Sequence, residues 1–218
     1  MKRRNTAVPT RERILDEVEW LIAKKGVYGF KLRDVAEALG LKVPAIYKHY
    51  ASRDDVLVEV SRRFVALLAT QFAPSTDSAA VALRAGLQQL VECLMLHPAY
   101  VRLALVDYAT PEGGAEYVKQ AAGGSFQANF SDGPLAPMYA RLSGLLRAGV
   151  RSGDWRRVDA TDFYRVATSA LLIRLVFPDD VLLLRRTSAV EMRSVQRWLS
   201  DVVFAYLKPR PAAPRRRP

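Results

Sequence analysis

Tyr47 and Lys48 are the side chains of this sequence best placed to meet a polyanion, and their neighbours say why. They lie in KLRDVAEALGLKVPAIYKHY, residues 31–50. Each residue of an α-helix turns roughly 100°. A helix opened by Pro44 therefore puts Ile46 and Tyr50 on its inner side and Lys48 almost opposite, with Pro44, Ala45 and Tyr47 flanking it and His49 near the edge. Small residues let a helix approach base edges closely, while a phenol and an ammonium group reach phosphate oxygens. Val43, Pro44, Ala45, Tyr47, Lys48 and His49 are the candidate DNA-contacting residues of this helix. The stretch before it must hold it in place. Leu32, Val35, Ala36 and Leu39 recur at helical spacing, Gly40 stands where a C-cap is expected, and Pro44 suits a first helical turn. Two short helices joined at a glycine make a helix-turn-helix.

Other kinds of chemistry find no support. There is no GxxxxGK[ST] phosphate loop, no GxGxxG turn, and no alternating pattern that predicts a strand to carry either. Two histidines and one cysteine, far apart, give no metal-ligand spacing. His97, before Pro98, reads as a helix-end residue, and Asp107 as a solvated or hydrogen-bonded carboxylate. Nothing marks a nucleophile near His49 or His97, so no enzyme activity and no cofactor are expected. Cys93 alone excludes an internal disulfide and suits a reducing cytoplasm; its reading as a small buried residue outweighs that of a redox sensor.

The 218 residues suffice for one large domain or two small ones. No apolar run reaches the ~18 residues of a membrane span, since LLIRLVF and VLLL are short and flanked by Arg. The basic MKRRNTAVPT precedes no apolar segment, so neither a secretory leader nor a membrane partner is expected, and the location is expected to be cytoplasmic. The net charge of +11 is unevenly placed: +6 over residues 1–53, zero over 54–207 and +5 over 208–218. A basic head on a neutral body is the footprint of a polyanion binder.

From Thr10 to about Phe64 the sequence resembles the N-terminal domain of TetR-type transcriptional regulators. The matching stretches are RERILDEVEWLIAKKG, GFKLRDVAEALGL and PAIYKHYASRDDVL, in the family's order and spacing. The resemblance covers about a quarter of the chain. It implies an all-α protein with a three-helix DNA-binding head and a helical body that binds a ligand and dimerises. Its partners would be a duplex DNA operator, a small-molecule effector and a second copy of the chain. Repression relieved by a small apolar ligand is the implied function; a ligand-independent architectural DNA binder is the alternative. Arg33 falls where the family sets a residue able to reach a base edge, and an Arg suits guanine; a salt bridge to Glu37 is its other reading. Arg53 falls where the family carries a phosphate-touching Lys or Arg. Lys31 and Lys42 depart from the family, which has Ser or Thr caps there. A lost cap costs ~1 kcal/mol and a cation at a helix N-terminus a few tenths more. Added attraction to phosphate would offset that, and Lys31 and Lys42 join the candidate DNA contacts on this ground; unselected drift is the alternative.

Residues 1–53 are thus expected to form arm and head, 54–207 the body with helix 54–72 as the link, and 208–218 a disordered basic tail. Lys2, Arg3 and Arg4 either reach a groove or are simply solvated. The pattern predicts a first helix N-capped by Thr10 and running to Lys25, and a fourth capped by Ser52 with Asp55 in the reciprocal position. Residues 110–137 hold five glycines around one short helix, 115–121, and are expected to form a mobile gate over a cavity. Tyr100, Leu103, Tyr108, Met138, Tyr139, Phe163 and Tyr164 are candidate lining for that cavity, although such a stripe also suits plain core. The last two helices, 159–177 and 188–208, are expected to pair with their copies as a four-helix bundle, or else to be monomer core. A twofold would let two short recognition helices read two half-sites.

Overall fold

Apolar side chains at helical spacing draw each element inward, beginning with α1, Thr10–Lys25, whose Ile14, Leu15, Val18, Leu21 and Ile22 are buried. The structure, a computed structural model, describes residues 8–110, 116–122, 133–176 and 188–209. Among them are ten α-helices and no strand. Thr10 proves to be the first helical residue rather than the cap, because Pro9 precedes it and accepts the Arg13 amide at 3.1 Å. The head is completed by α2, Leu32–Leu39, and α3, Val43–Tyr47. Of the segments singled out in the sequence, 1–7, most of the glycine-rich stretch (111–115 and 123–132) and 210–218 lie outside the described residues.

The linking helix α4, Arg53–Ala69, starts at Ser52, whose Oγ accepts the Asp55 amide at 3.1 Å. It ends three residues earlier than the sequence suggests, for a visible reason. Phe72 takes a left-handed φ of 54° and lays its ring on Gly86, where a Cβ would come within 2.2 Å of it. The Arg141 guanidinium then gathers the chain end, donating to the carbonyls of Ala69, Gln71 (2.9 Å) and Phe72 (3.1 Å).

The body comprises α5, Ala79–Leu96; α6, Pro98–Ala109; α7, Glu116–Ala122; α8, Ala136–Ser152; α9, Ala160–Val176; and α10, Ala189–Leu207. Ser78 caps α5, and Ser188 with Glu191 forms a reciprocal capping box on α10. By length and composition α5 is apolar enough to cross a membrane. Here Leu83, Leu87, Leu90, Val91 and Leu94 are buried instead, with α8 and α10 packed against the helix. Gly153, at φ 81°, stops α8 and turns Trp155 back beneath it. The indole donates to the Leu146 carbonyl at 2.9 Å and covers Gly149, where a Cβ would lie 1.9 Å from the ring. Cys93 is buried, and burial pushes its thiol up to about 11, which suits an inert packing residue.

Candidate nucleic-acid interface

The turn between α2 and α3 is held by its backbone. Gly40 adopts φ 67°, the Leu41 amide donates to the Ala36 carbonyl at 2.8 Å, and that of Gly40 to Glu37 at 3.1 Å. This pair of bonds is a Schellman motif, and it fixes the angle at which α3 leaves. Ile46 and Tyr50 are buried, at 0% and 3% exposure. The Tyr50 ring lies under Arg11, 5.2 Å from its centroid, and its hydroxyl approaches the Arg11 carbonyl at 3.5 Å. With those two side chains anchored, the helical register turns the others outward. Tyr47 is 53% exposed; Lys42, Pro44, Lys48 and His49 are exposed, and Val43 and Ala45 half-buried. Lys31 and Arg33 are exposed at the start of α2.

Several cations of the head are held in ion pairs away from this face. Arg11 pairs with Glu59 at 3.3 Å, Lys25 with Asp34 at 3.3 Å, and Arg63 with Asp16 at 2.8 Å and Glu19 at 2.9 Å, and also with Glu12. Among the described residues Lys31, Arg33, Lys42 and Lys48 have no ion-pair partner, and the Arg33–Glu37 bridge does not form. Four exposed cations without an ion-pair partner can neutralise an anion without first breaking an internal bond.

Two residues sit otherwise than their motifs suggest. Arg53 is turned inward: its guanidinium donates to the Val27 carbonyl and lies 4.8 Å from the Phe30 ring centroid, so it ties α4 to the α1–α2 connection. At Lys31 the cost of a missing Ser or Thr is met locally. The Asp34 carboxylate accepts the Lys31 amide at 3.1 Å and the Lys25 ammonium at 3.3 Å. No side chain caps α3 at Lys42. The Lys31 amide, followed by Lys25, holds the Asp34 carboxyl below its ordinary value of 3.8. A depressed carboxyl stabilises the fold above its unfolded value and loses that contribution as pH falls through the folded one. Asp34→Asn is accordingly expected to lower the Tm at neutral pH, with the gap to the native protein closing below about pH 4; thermal melts across that range check it.

Behind the head, α4, α5, α6, α7 and α9 enclose a narrow apolar cavity of about 30 Å³. Leu103 and Tyr164 line it. Tyr100 is spent elsewhere, stacking on Phe64 at 4.7 Å and approaching Glu19 of α1 at 3.3 Å with its hydroxyl. Burial, then Glu19, raises its phenol pKa. Met138 and Phe163 are core, and Tyr139 bonds to Thr161 beside a different surface cleft. Tyr108 belongs to α6, its side chain lying outside the described residues. Sequence reasoning passed over Ser61, Phe64, Val65 and Leu68, the α4 wall of this cavity. Of these only Phe64 carried a spacing that signalled burial, and nothing in it distinguished a head core from a cavity wall.

A short outward-facing helix set across a glycine turn, with unpaired cations on a trihelical head, defines a helix-turn-helix DNA-binding regulator. Residues 14–60 match the family model of bacterial regulatory proteins, tetR family. Over those residues the chain is similar to the TetR family of transcriptional regulators. Its fold is similar to that of the TetR-family regulator PfmR from Thermus thermophilus, at 23% identity and TM-score 0.65, covering 88% of this chain and 97% of that one. The ketosteroid regulator KstR2 of Mycobacterium tuberculosis is 18% identical with TM-score 0.60 (93% and 96% covered). The fatty acid degradation regulator FadR of Bacillus halodurans is 16% identical with TM-score 0.64 (93% and 98% covered). No curated protein sequence matches the chain.

Proposed function

We propose that the chain is a homodimeric, cytoplasmic repressor that leaves its operator when the body takes up a small apolar ligand. The observation that carries this reading is the sharing of α4. Its first turns, with Val56, Leu57 and Val60, are buried in the head region, and Ser61, Phe64, Val65 and Leu68 wall the cavity. A ligand pocket spans roughly 300–1,000 Å³, far more than the space present, so a ligand enters only by displacing the walls, α4 among them. A ligand shifts operator affinity by the difference in its own affinity for the two conformations. On α3, Tyr47 and Lys48 would hold phosphate, with Val43, Pro44, Ala45 and His49 against the groove; Arg33 would address a base edge, and Lys31 and Lys42 the flanking phosphates. The dimer would form through α9 and α10, which leave Ile173 and Val190 exposed and Trp198 half-buried.

The test is fluorescence anisotropy on a duplex selected from a randomised pool by the wild-type protein. Lys48→Ala is expected to weaken binding about tenfold and to reduce the salt slope by about 1. Tyr47→Phe should weaken it by a few-fold with the slope unchanged. Unaltered binding in both would remove α3 from the interface, and selection of no preferred sequence would replace the repressor with an architectural binder.

A further inference from the structure

We propose that the surface cleft between α8 and the connection to α9 binds a phosphorylated small molecule through Arg147, Arg151 and Arg157. The site is separate from the cavity behind the head, and the inference does not rest on the effector reading above. The cleft measures about 650 Å³, within the roughly 300–1,000 Å³ of small-molecule sites. It therefore needs no displacement of its walls. Gly153 ends α8 in a left-handed turn, and the residues after it run back along the helix to form the facing wall. Both ends of that wall are fastened: the Trp155 indole donates to the Leu146 carbonyl at 2.9 Å, and Tyr139 bonds to Thr161.

The charge inside the cleft is unbalanced. Arg147, Arg151 and Arg157 line it and are exposed, and among the described residues none of the three has a hydrogen-bond or ion-pair partner. The carboxylate of the lining, Asp159, is engaged at the start of α9, accepting the Thr161 amide at 2.8 Å and the Asp162 amide at 3.2 Å. Arg147 and Arg151 stand four residues apart on one face of α8, a spacing at which like charges oppose each other. Arg157 stands just ahead of α9, whose positive end disfavours a cation. An anion seated among the three relieves both conflicts.

The chemistry of the side chains sets the sign and the class of the ligand. A guanidinium has only donors, so the group it receives must be an acceptor, and three of them favour a full negative charge. A phosphate monoester offers three terminal oxygens and nearly two charges, whereas a carboxylate offers two oxygens and one. Leu146, Val150 and Val158 give the rest of the molecule an apolar wall.

Calorimetry on the full chain at about pH 8, where a phosphate monoester carries close to two negative charges, tests this with 1-naphthyl phosphate, 1-naphthoate and inorganic phosphate. The naphthyl ester is expected to bind about tenfold more tightly than either of the others. Arg147→Ala, Arg151→Ala and Arg157→Ala should each weaken it by about fivefold or more, while Lys24→Ala, which removes an exposed charge from the head, should not. All four replace exposed side chains, so their Tm values should match the wild type. No binding of the naphthyl ester, equal binding of 1-naphthoate or inorganic phosphate, or indifference to the three arginine substitutions would overturn the proposal and leave the effector reading untouched. Loss of affinity for random-sequence duplex, or of the dimer in sedimentation, with binding of the naphthyl ester unchanged, would give these arginines to the DNA backbone or to a second copy and overturn it equally.

Discussion

Trp155→Ala is expected to destabilise the protein by about 3–5 kcal/mol, a fall in Tm of roughly 10 °C for a chain of this size. The indole is 3% exposed, donates to the Leu146 carbonyl at 2.9 Å, and meets Phe204 edge-on at 6.3 Å. Its removal leaves a void beneath α8 that surrounding helices fill only in part. Gly149→Ala attacks the same contact from the other side, since the new methyl would sit 1.9 Å from the ring, and should cost about 1–3 kcal/mol. The pair should not add. Once the indole is gone the alanine methyl occupies part of its space, so the double variant should be more stable than the sum predicts by about 1 kcal/mol or more. Chemical denaturation of the four proteins measures this, and strict additivity would mean that the two groups are not in contact.

Arg63→Ala is expected to cost about 2–3 kcal/mol, less than a fully buried pair because the side chain is 25% exposed. This guanidinium on α4 faces Glu12, Asp16 and Glu19, three carboxylates one helical turn apart on α1. Burial works against its charge, yet the bonds to Glu19, Asp16 and Glu12 outweigh burial and raise its pKa. Alanine would leave the carboxylates facing one another without a counterion. Arg63→Lys should fall between the two, since an ammonium group keeps the charge but cannot fork toward three partners. A loss within 0.5 kcal/mol of the native protein, the range of ordinary surface pairs, would show that the cluster does not hold α1 to α4.

The head was legible because its geometry is local. Gly40, Ile46 and Tyr50 obey helical register and cap rules that act within five residues, so the outward set on α3 follows from counting. What escaped depended on partners distant in the chain. Arg53 looks like a phosphate contact until Val27, 26 residues away, claims it. Lys31 looks uncapped until Asp34 and Lys25 are seen together. The end of α4 depends on Phe72 meeting Gly86 and on Arg141, some 70 residues onward. The cavity was least legible of all. An aromatic such as Tyr100 and a small polar residue such as Ser61 carry no mark saying which faces a void and which fills one.

The two arginines at the ends of α4 constrain how it can respond to load. Arg53 grips the head at one end and Arg141 collects the chain at the other, while the cavity lies against the second half of the helix between them. A rod seated in two bearings and pushed nearer one of them cannot slip lengthwise; it tilts and carries its seats along. Over the ~25 Å of seventeen residues, a tilt of about 5° displaces one end by about 2 Å, and in a twofold assembly each half would add its own share to the separation of the two reading helices.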